Sequence, residues 1–186
     1  TFDSKELMKT PFTIASSHWG FDHTPSEAQN LGKYLTSGGF FVADARHPQT
    51  GPERPPIISF RRMIAHGLNV YGIKHHRDWV WERIPGSHPL YHCYFDFESI
   101  PPGVDNVVQA TLDYLPLDYL EGVTINGQLV VVLSTKCYTA IWGVDGSSSW
   151  GRNRDNARHL QFGVNLIIFA LTQEGSITQQ VMDLVE

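Results

Sequence analysis

Apolar residues along this chain alternate between two rhythms, short continuous runs and a three-four helical spacing, and that alternation orders the elements. Phe12-Thr13-Ile14-Ala15 follows Pro11 as a β-prone run and closes in Ser16-Ser17-His18-Trp19-Gly20. Thr24-Pro25-Ser26-Glu27 then opens a helix: Thr24 can cap, Pro25 fits the first helical position, and Glu27 completes a capping box. Ala28, Leu31 and Leu35 give that helix an inner face, and Gly38-Gly39 stops it. Phe40-Phe41-Val42-Ala43 reads as a strand buried on both faces. Strand, helix, Gly-Gly and buried strand are the parts of a parallel βαβ unit.

Residues 49–56 are proline-rich and predict irregular structure, after which Ile57, Phe60, Ile64 and Leu68 mark a second amphipathic helix. Trp79-Val80-Trp81 among charged residues predicts a strand. His88-Pro89-Leu90-Tyr91 predicts a turn or short helix, and Pro101-Pro102-Gly103 a loop. Val123-Thr124-Ile125 and residues 128–133 flank Asn126-Gly127, the preferred pair for a two-residue hairpin turn. The second arm, residues 129–133, is continuously apolar and predicts a central strand. Residues 134–149 read as a Gly/Ser-rich loop. A long helix is expected from about Asp155 to Thr172, its inner face being Ala157, Leu160, Val164, Ile167 and Leu171. With no internal repeat in view, residues 1–186 read as one α/β domain.

Composition narrows the function classes. At 186 residues with 41% hydrophobic and 18% charged positions, the chain can bury a sizeable core and is not a disordered segment. Its formal net charge of −5 gives no electrostatic footprint for nucleic acid. No apolar run approaches the roughly 20 residues that cross a bilayer, and the polar opening residues lack the pattern of a signal peptide. Cys93 and Cys137 form no CxxC or metal-type spacing, and no cofactor motif appears.

Four segments in this order resemble a known family. They are residues 34–44 (Tyr-Leu-Thr-Ser-Gly-Gly-Phe-Phe-Val-Ala-Asp), residues 85–91 (Pro-Gly-Ser-His-Pro-Leu-Tyr), Leu120-Glu121-Gly122-Val123 before the hairpin, and residues 163–172. The chain resembles the bacterial domain of unknown function 4159 family, related to class I glutamine amidotransferases. The resemblance implies a flavodoxin-like, amidotransferase-like three-layer sandwich with a mostly parallel sheet. It also implies a departure, because family members usually carry another strand and helix before the segment that opens this chain. Either another polypeptide supplies that unit or the domain closes without it. The resemblance slightly favours a bacterial periplasmic or cell-envelope location, and it brings no established reaction.

In a doubly wound sheet ligands bind beyond the carboxyl ends of the strands. Three stretches qualify: residues 16–20, residues 44–47 and residues 134–138. The candidate ligand residues are His18, Asp44, Arg46, His47, Lys136 and Trp142. Amidotransferase-like enzymes carry a cysteine nucleophile on a sharp turn, taken here to follow the strand at 40–43. That turn reads Asp44-Ala45-Arg46-His47, without Cys or Ser. No catalytic set is therefore assigned. His18, Asp44 and His47 are the one set that could hold a metal or run acid–base chemistry; the plainer reading makes Asp44 a turn cap paired with Arg46. His88 and His92, four apart, are interrupted by Pro89 and match no metalloprotease pattern, and His75-His76 reads as a surface feature. Trp142 and Trp150, in a small-residue loop, suit either a partner or a lid on the core. The expectation is a non-catalytic binding or assembly module that contacts other proteins. The alternative is a metal- or Asp/His-dependent hydrolase-like enzyme with its site after the strand at 40–43.

Overall fold

The computed structural model describes residues 2–45, 55–101, 119–143 and 157–184. In chain order the elements are β1 (Phe12–Ser17), α1 (Pro25–Thr36), β2 (Phe40–Ala45), α2 (Pro55–Val70), β3 (Glu82–Arg83), β4 (Glu121–Ile125), β5 (Gln128–Ser134), α3 (Tyr138–Ile141), α4 (Ala157–Thr172) and α5 (Ile177–Asp183). The strands lie side by side in the order β1-β2-β5-β4-β3. β1, β2 and β5 are parallel neighbours, and β4 is antiparallel to both β5 and β3. Among these strands only β4 runs against the rest, so the sheet is open and mostly parallel.

Alternation along the buried strands sorts the core into two halves. Phe41, Ala43, Val131 and Leu133 face α1 and α2, meeting Leu31, Leu35, Phe60 and Ile64. Phe40, Val42 and Val132 face α4, meeting Phe162, Leu166 and Phe169. The result is a three-layer α/β sandwich of the flavodoxin-like kind, the architecture that continuous apolar strands require because both their faces must be covered.

α1 begins and ends as its sequence dictates. Glu27 N donates to Thr24 Oγ1 (3.1 Å) and Thr24 N donates to Glu27 Oε2 (3.0 Å), closing the capping box. At the other end Gly38 takes φ +87°, letting Gly39 N reach Tyr34 O (3.0 Å) and Gly38 N reach Leu35 O (3.3 Å). α1 and α2 then pack backbone to backbone: a Cβ on Gly32 would sit 2.2 Å from Gly67 O.

The hairpin forms at Asn126 (φ 51°) and Gly127 (φ 82°), both in the left-handed region that its tight turn demands. One β5 residue is extra: Val123 pairs with Val131 and Thr124 with Leu129, leaving Val130 as a bulge. Val130 and Val131 consequently join the same half of the core.

Three sequence expectations need correction. Trp79-Val80-Trp81 alternates in burial, but the backbone makes only an isolated bridge between His75 and Trp79, and the strand follows at Glu82. His76, at φ 63°, bends the chain back so that its N–H reaches Trp79 O (2.8 Å). Residues 134–143 are not simply loop, since Ser134 ends β5 and α3 follows; the remainder of that stretch lies outside the described residues. The inner face of α4 is Phe162, Asn165, Leu166, Phe169 and Ala170, whereas Leu160, Val164 and Ile167 point outward. Residues 160–171 are apolar around most of the helix, so spacing alone could not choose the face. Asn165 decides it. Its Oδ1 accepts from Phe95 N (2.8 Å), and its Nδ2 donates to Phe95 O (2.8 Å) and Leu90 O (3.2 Å).

Candidate functional site

The helices that follow adjacent strands change sides of the sheet. β2 leads to α2 on one face, and β5 leads through α3 to α4 on the other. Adjacent parallel strands whose exits diverge leave a crevice at their carboxyl ends, the place where ligands bind in open α/β sheets. Here that switch point lies between the end of β2 and the end of β5.

The strand ends at that switch point are polar. The strand register aligns Ser16 of β1 with Asp44 of β2, and Asp44 with Ser134 of β5. On β2 Asp44 continues the side that carries Phe40 and Val42, so the row stands where the apolar face toward α4 runs out. Asp44 and Ser134 are fully buried. Asp44 Oδ2 accepts from both Thr139 N (2.9 Å) and Thr139 Oγ1 (2.7 Å). Thr139 Oγ1 also lies 3.0 Å from Ser16 Oγ. With its one proton committed to the carboxylate, Thr139 is the acceptor in that second contact.

The chain leaves β5 through Thr135, Lys136 and Cys137, of which Thr135 and Lys136 are buried. Lys136 N donates to Ser134 Oγ (3.0 Å). Cys137 is the N-cap of α3 in the left-handed conformation (φ 56°, ψ 39°), with no side-chain cap of its own. Asp44 supplies the missing cap from the neighbouring strand, because Thr139 N is one of the N–H groups a helix start leaves open.

The residues singled out from the sequence fall into three groups. Asp44 and Lys136 are both buried at the switch point, Asp44 at the end of β2 and Lys136 on the turn leaving β5. His18 is exposed on the loop after β1, beside Trp19, which is 71% exposed; Ser17 Oγ–H closes that turn onto Trp19 O (2.8 Å). Arg46 and His47 lie outside the described residues. Trp142 is half-buried: it stacks on Tyr138 at 5.6 Å and its Nε1 donates to His159 O (2.9 Å), closing the core beneath α4. Trp150 lies outside the described residues.

The other histidines do local work. His88 Nδ1 accepts from Leu90 N (3.1 Å) and caps the short 3-10 turn Pro89–Tyr91. His92 pairs instead with Asp96 and with Gly86 O, so His88 and His92 share no ligand. Among the described residues no three His, Cys, Asp or Glu side chains are grouped as metal ligands. Two open hollows border described residues. One of about 340 Å³ lies between the β1–α1 loop and the start of α2, lined by Gly20, Phe21, Ser59 and Arg62. The other, about 370 Å³, sits at the hairpin end of the sheet beside Trp79 and Asn126, away from the crevice.

Sequence reasoning placed Cys137 within the candidate stretch 134–138 without giving it a role, and it missed Thr139. A sharp turn was sought after β2, but the strand-to-helix turn with a cysteine follows β5. The signal available in the sequence was a buried apolar strand followed at once by Ser134-Thr135-Lys136-Cys137, small and polar residues suited to a tight exit.

The sequence model of the family described as "Domain of unknown function (DUF4159)" matches residues 1–171. The chain belongs to that family. A search of curated proteins finds no match. In this family member the four matching segments have physical roles. Residues 34–44 are the end of α1, its glycine stop and β2; residues 85–91 include the His88-capped turn; residues 120–123 enter β4; and residues 163–172 hold Asn165 and the inner face of α4. No helix among the described residues is long and apolar enough to cross a membrane.

Proposed function

We propose that this chain is a non-catalytic, amidotransferase-like binding module, a subunit that contacts other proteins through the carboxyl edge of β1, β2 and β5. The observation that carries the reading is the commitment of Asp44. A fully buried carboxylate that accepts two hydrogen bonds from Thr139 holds the β5–α3 turn in place. Beside it the β1–α1 loop presents Trp19 to solvent, and a large exposed aromatic is the kind of group that anchors a protein interface. The test is a photo-crosslinking amino acid placed at Trp19, with Val70 at the far end of α2 as control, in cells producing the full protein. A discrete adduct at 19 and none at 70 supports the module. The same faint pattern at both positions removes the support.

A second reading, a hydrolase-like enzyme, draws on Cys137. A non-glycine residue held left-handed at a strand-to-helix turn stores backbone strain of about 1 kcal/mol, and such strain clusters at reactive sites. The Asp/His or metal form of that reading would rest on a fully buried carboxylate whose Oδ2 already accepts two hydrogen bonds from Thr139, so the thiol form is the stronger one. Cys137 alkylated by iodoacetamide much faster than Cys93, with ester or amide turnover abolished in Cys137→Ala, would favour the enzyme. Absence of turnover in the unmodified protein leaves the module.

A further inference from the structure

The loop between β1 and α1, residues 18–24, is fastened to α2 by Phe21, by His23 and by the exposed Asp22–Arg62 ion pair. Phe21 N donates to Ser59 Oγ (2.9 Å), and the Phe21 ring meets Phe60 edge-on at 4.9 Å. Two residues later His23 Nε2 lies 3.0 Å from His66 Nδ1, one turn beyond Arg62 on α2. His23 is half-buried and its Nδ1 is enclosed without a hydrogen-bond partner, whereas His66 is exposed.

These positions fix where the protons sit. A neutral imidazole carries one N–H. On His23 Nδ1 it would be a buried donor with no acceptor, so it resides on Nε2 and is donated to His66 Nδ1. A second proton on either ring breaks the arrangement. On His23 it creates that unsatisfied buried donor; on His66 Nδ1 it sets donor against donor. The groups facing the pair are Arg62 and His66 from α2, Glu27 from α1, and Asp22 in the loop, itself 3.7 Å from Arg62. Burial, His66 and Arg62 disfavour the charged His23, while Glu27 and Asp22 favour it; the first set prevails and the imidazole titrates below its ordinary 6.5. A base whose folded-state affinity for protons is lowered loses its stabilising contact as pH falls below that ordinary value.

We propose that the His23–His66 pair is a pH-sensitive latch: at neutral pH it fastens the His23 end of the β1–α1 loop to α2, and on acidification it loosens that end. The loop borders the 340 Å³ hollow at Gly20 and Arg62, so loosening it reshapes the rim of that hollow. The latch stands whether or not the binding-module reading does.

Hydrogen–deuterium exchange on the intact protein tests it, at about pH 7.5 and about pH 5, corrected for the intrinsic pH dependence of exchange. Amides of residues 21–24 should exchange roughly fivefold faster at the lower pH, the scale set by losing one hydrogen bond, while those of Leu31 and Ile64 in the α1–α2 core stay protected. His66→Ala, a surface change, should give fast loop exchange at both pH values. The double variant His23→Gln/His66→Gln should lose the pH response. Unchanged protection of 21–24 in the wild type, or a pH response persisting in the double variant, overturns the latch. A parallel loss at Leu31 and Ile64 overturns it too, because the event would then be global unfolding.

Discussion

Asp44 and Thr139, 95 residues apart in sequence, are joined by two buried hydrogen bonds: the carboxylate of β2 caps the helix that follows β5. The bonds tie the two strands whose exits diverge, and they hold Cys137 in its left-handed conformation. Replacing Asp44 with Ala removes the one oxygen that accepts both hydrogen bonds from Thr139 and leaves its N–H and hydroxyl buried. The expected loss is about 2–4 kcal/mol in urea unfolding, with Asp44→Asn losing less because an amide oxygen still accepts. A change in Asp44→Ala within about 0.5 kcal/mol of zero would mean that water replaces the cap.

The closest helix contact makes a second prediction. A Cβ on Gly67 would lie 2.3 Å from Ala28 O and one on Gly32 would lie 2.2 Å from Gly67 O, backbone atoms that cannot swing aside. Ala at either position should force α1 and α2 apart and lower stability by about 1–3 kcal/mol or more, although Ala is the better helix former. Calorimetry decides: a melting temperature that rises in Gly32→Ala would show the helices free to separate.

Two buried tyrosines should respond in opposite directions to loss of the hydroxyl. Tyr34 Oη donates to Phe40 O (3.1 Å), and burial pushes its phenol up to about 12. Tyr91 Oη is buried with no partner, and burial holds its phenol well above the usual range. Tyr34→Phe should cost about 1 kcal/mol, whereas Tyr91→Phe should be neutral or stabilising by about 1 kcal/mol, since no bond is lost and a desolvated hydroxyl is removed. Equal destabilisation by both would mean that Tyr91 Oη has a partner in solution.

His88 gives a pH dependence with a definite sign. Its Nδ1 accepts from Leu90 N, so it must be unprotonated for the cap to exist, and burial pulls its titration below the ordinary 6.5. The unfolded chain takes up the proton first on acidification. Stability therefore declines as pH drops below about 6.5 and is fully present above it. His88→Asn keeps a capping acceptor and removes the titration, so its urea midpoint should fall less between about pH 7.5 and about pH 5.5 than that of the wild type. An identical fall in both proteins would place the effect on other histidines.

The elements themselves were largely legible in the sequence, because each is set by neighbours along the chain. Thr24, Pro25 and Glu27 start α1 by satisfying N–H groups within one turn, Gly38 ends it by taking a positive φ, and Asn126-Gly127 turns the hairpin for the same steric reason. Even the two-sided burial of β2 and β5 followed from their unbroken apolar runs.

Tertiary structure alone decided what each face and each polar group meets. The α4 helix is apolar on both sides, and the face toward the sheet is the one where Asn165 bonds residues 90–95 and Phe162, Leu166 and Phe169 pack on the strands. Likewise the segment beginning at Asp44 was legible as the ligand-side edge of a buried strand, but its role was not. A carboxylate's function depends on whether water, a ligand or a protein donor reaches it first. Here the donor is Thr139, which the sheet order brings beside β2 from 95 residues away, and no local pattern encodes that meeting.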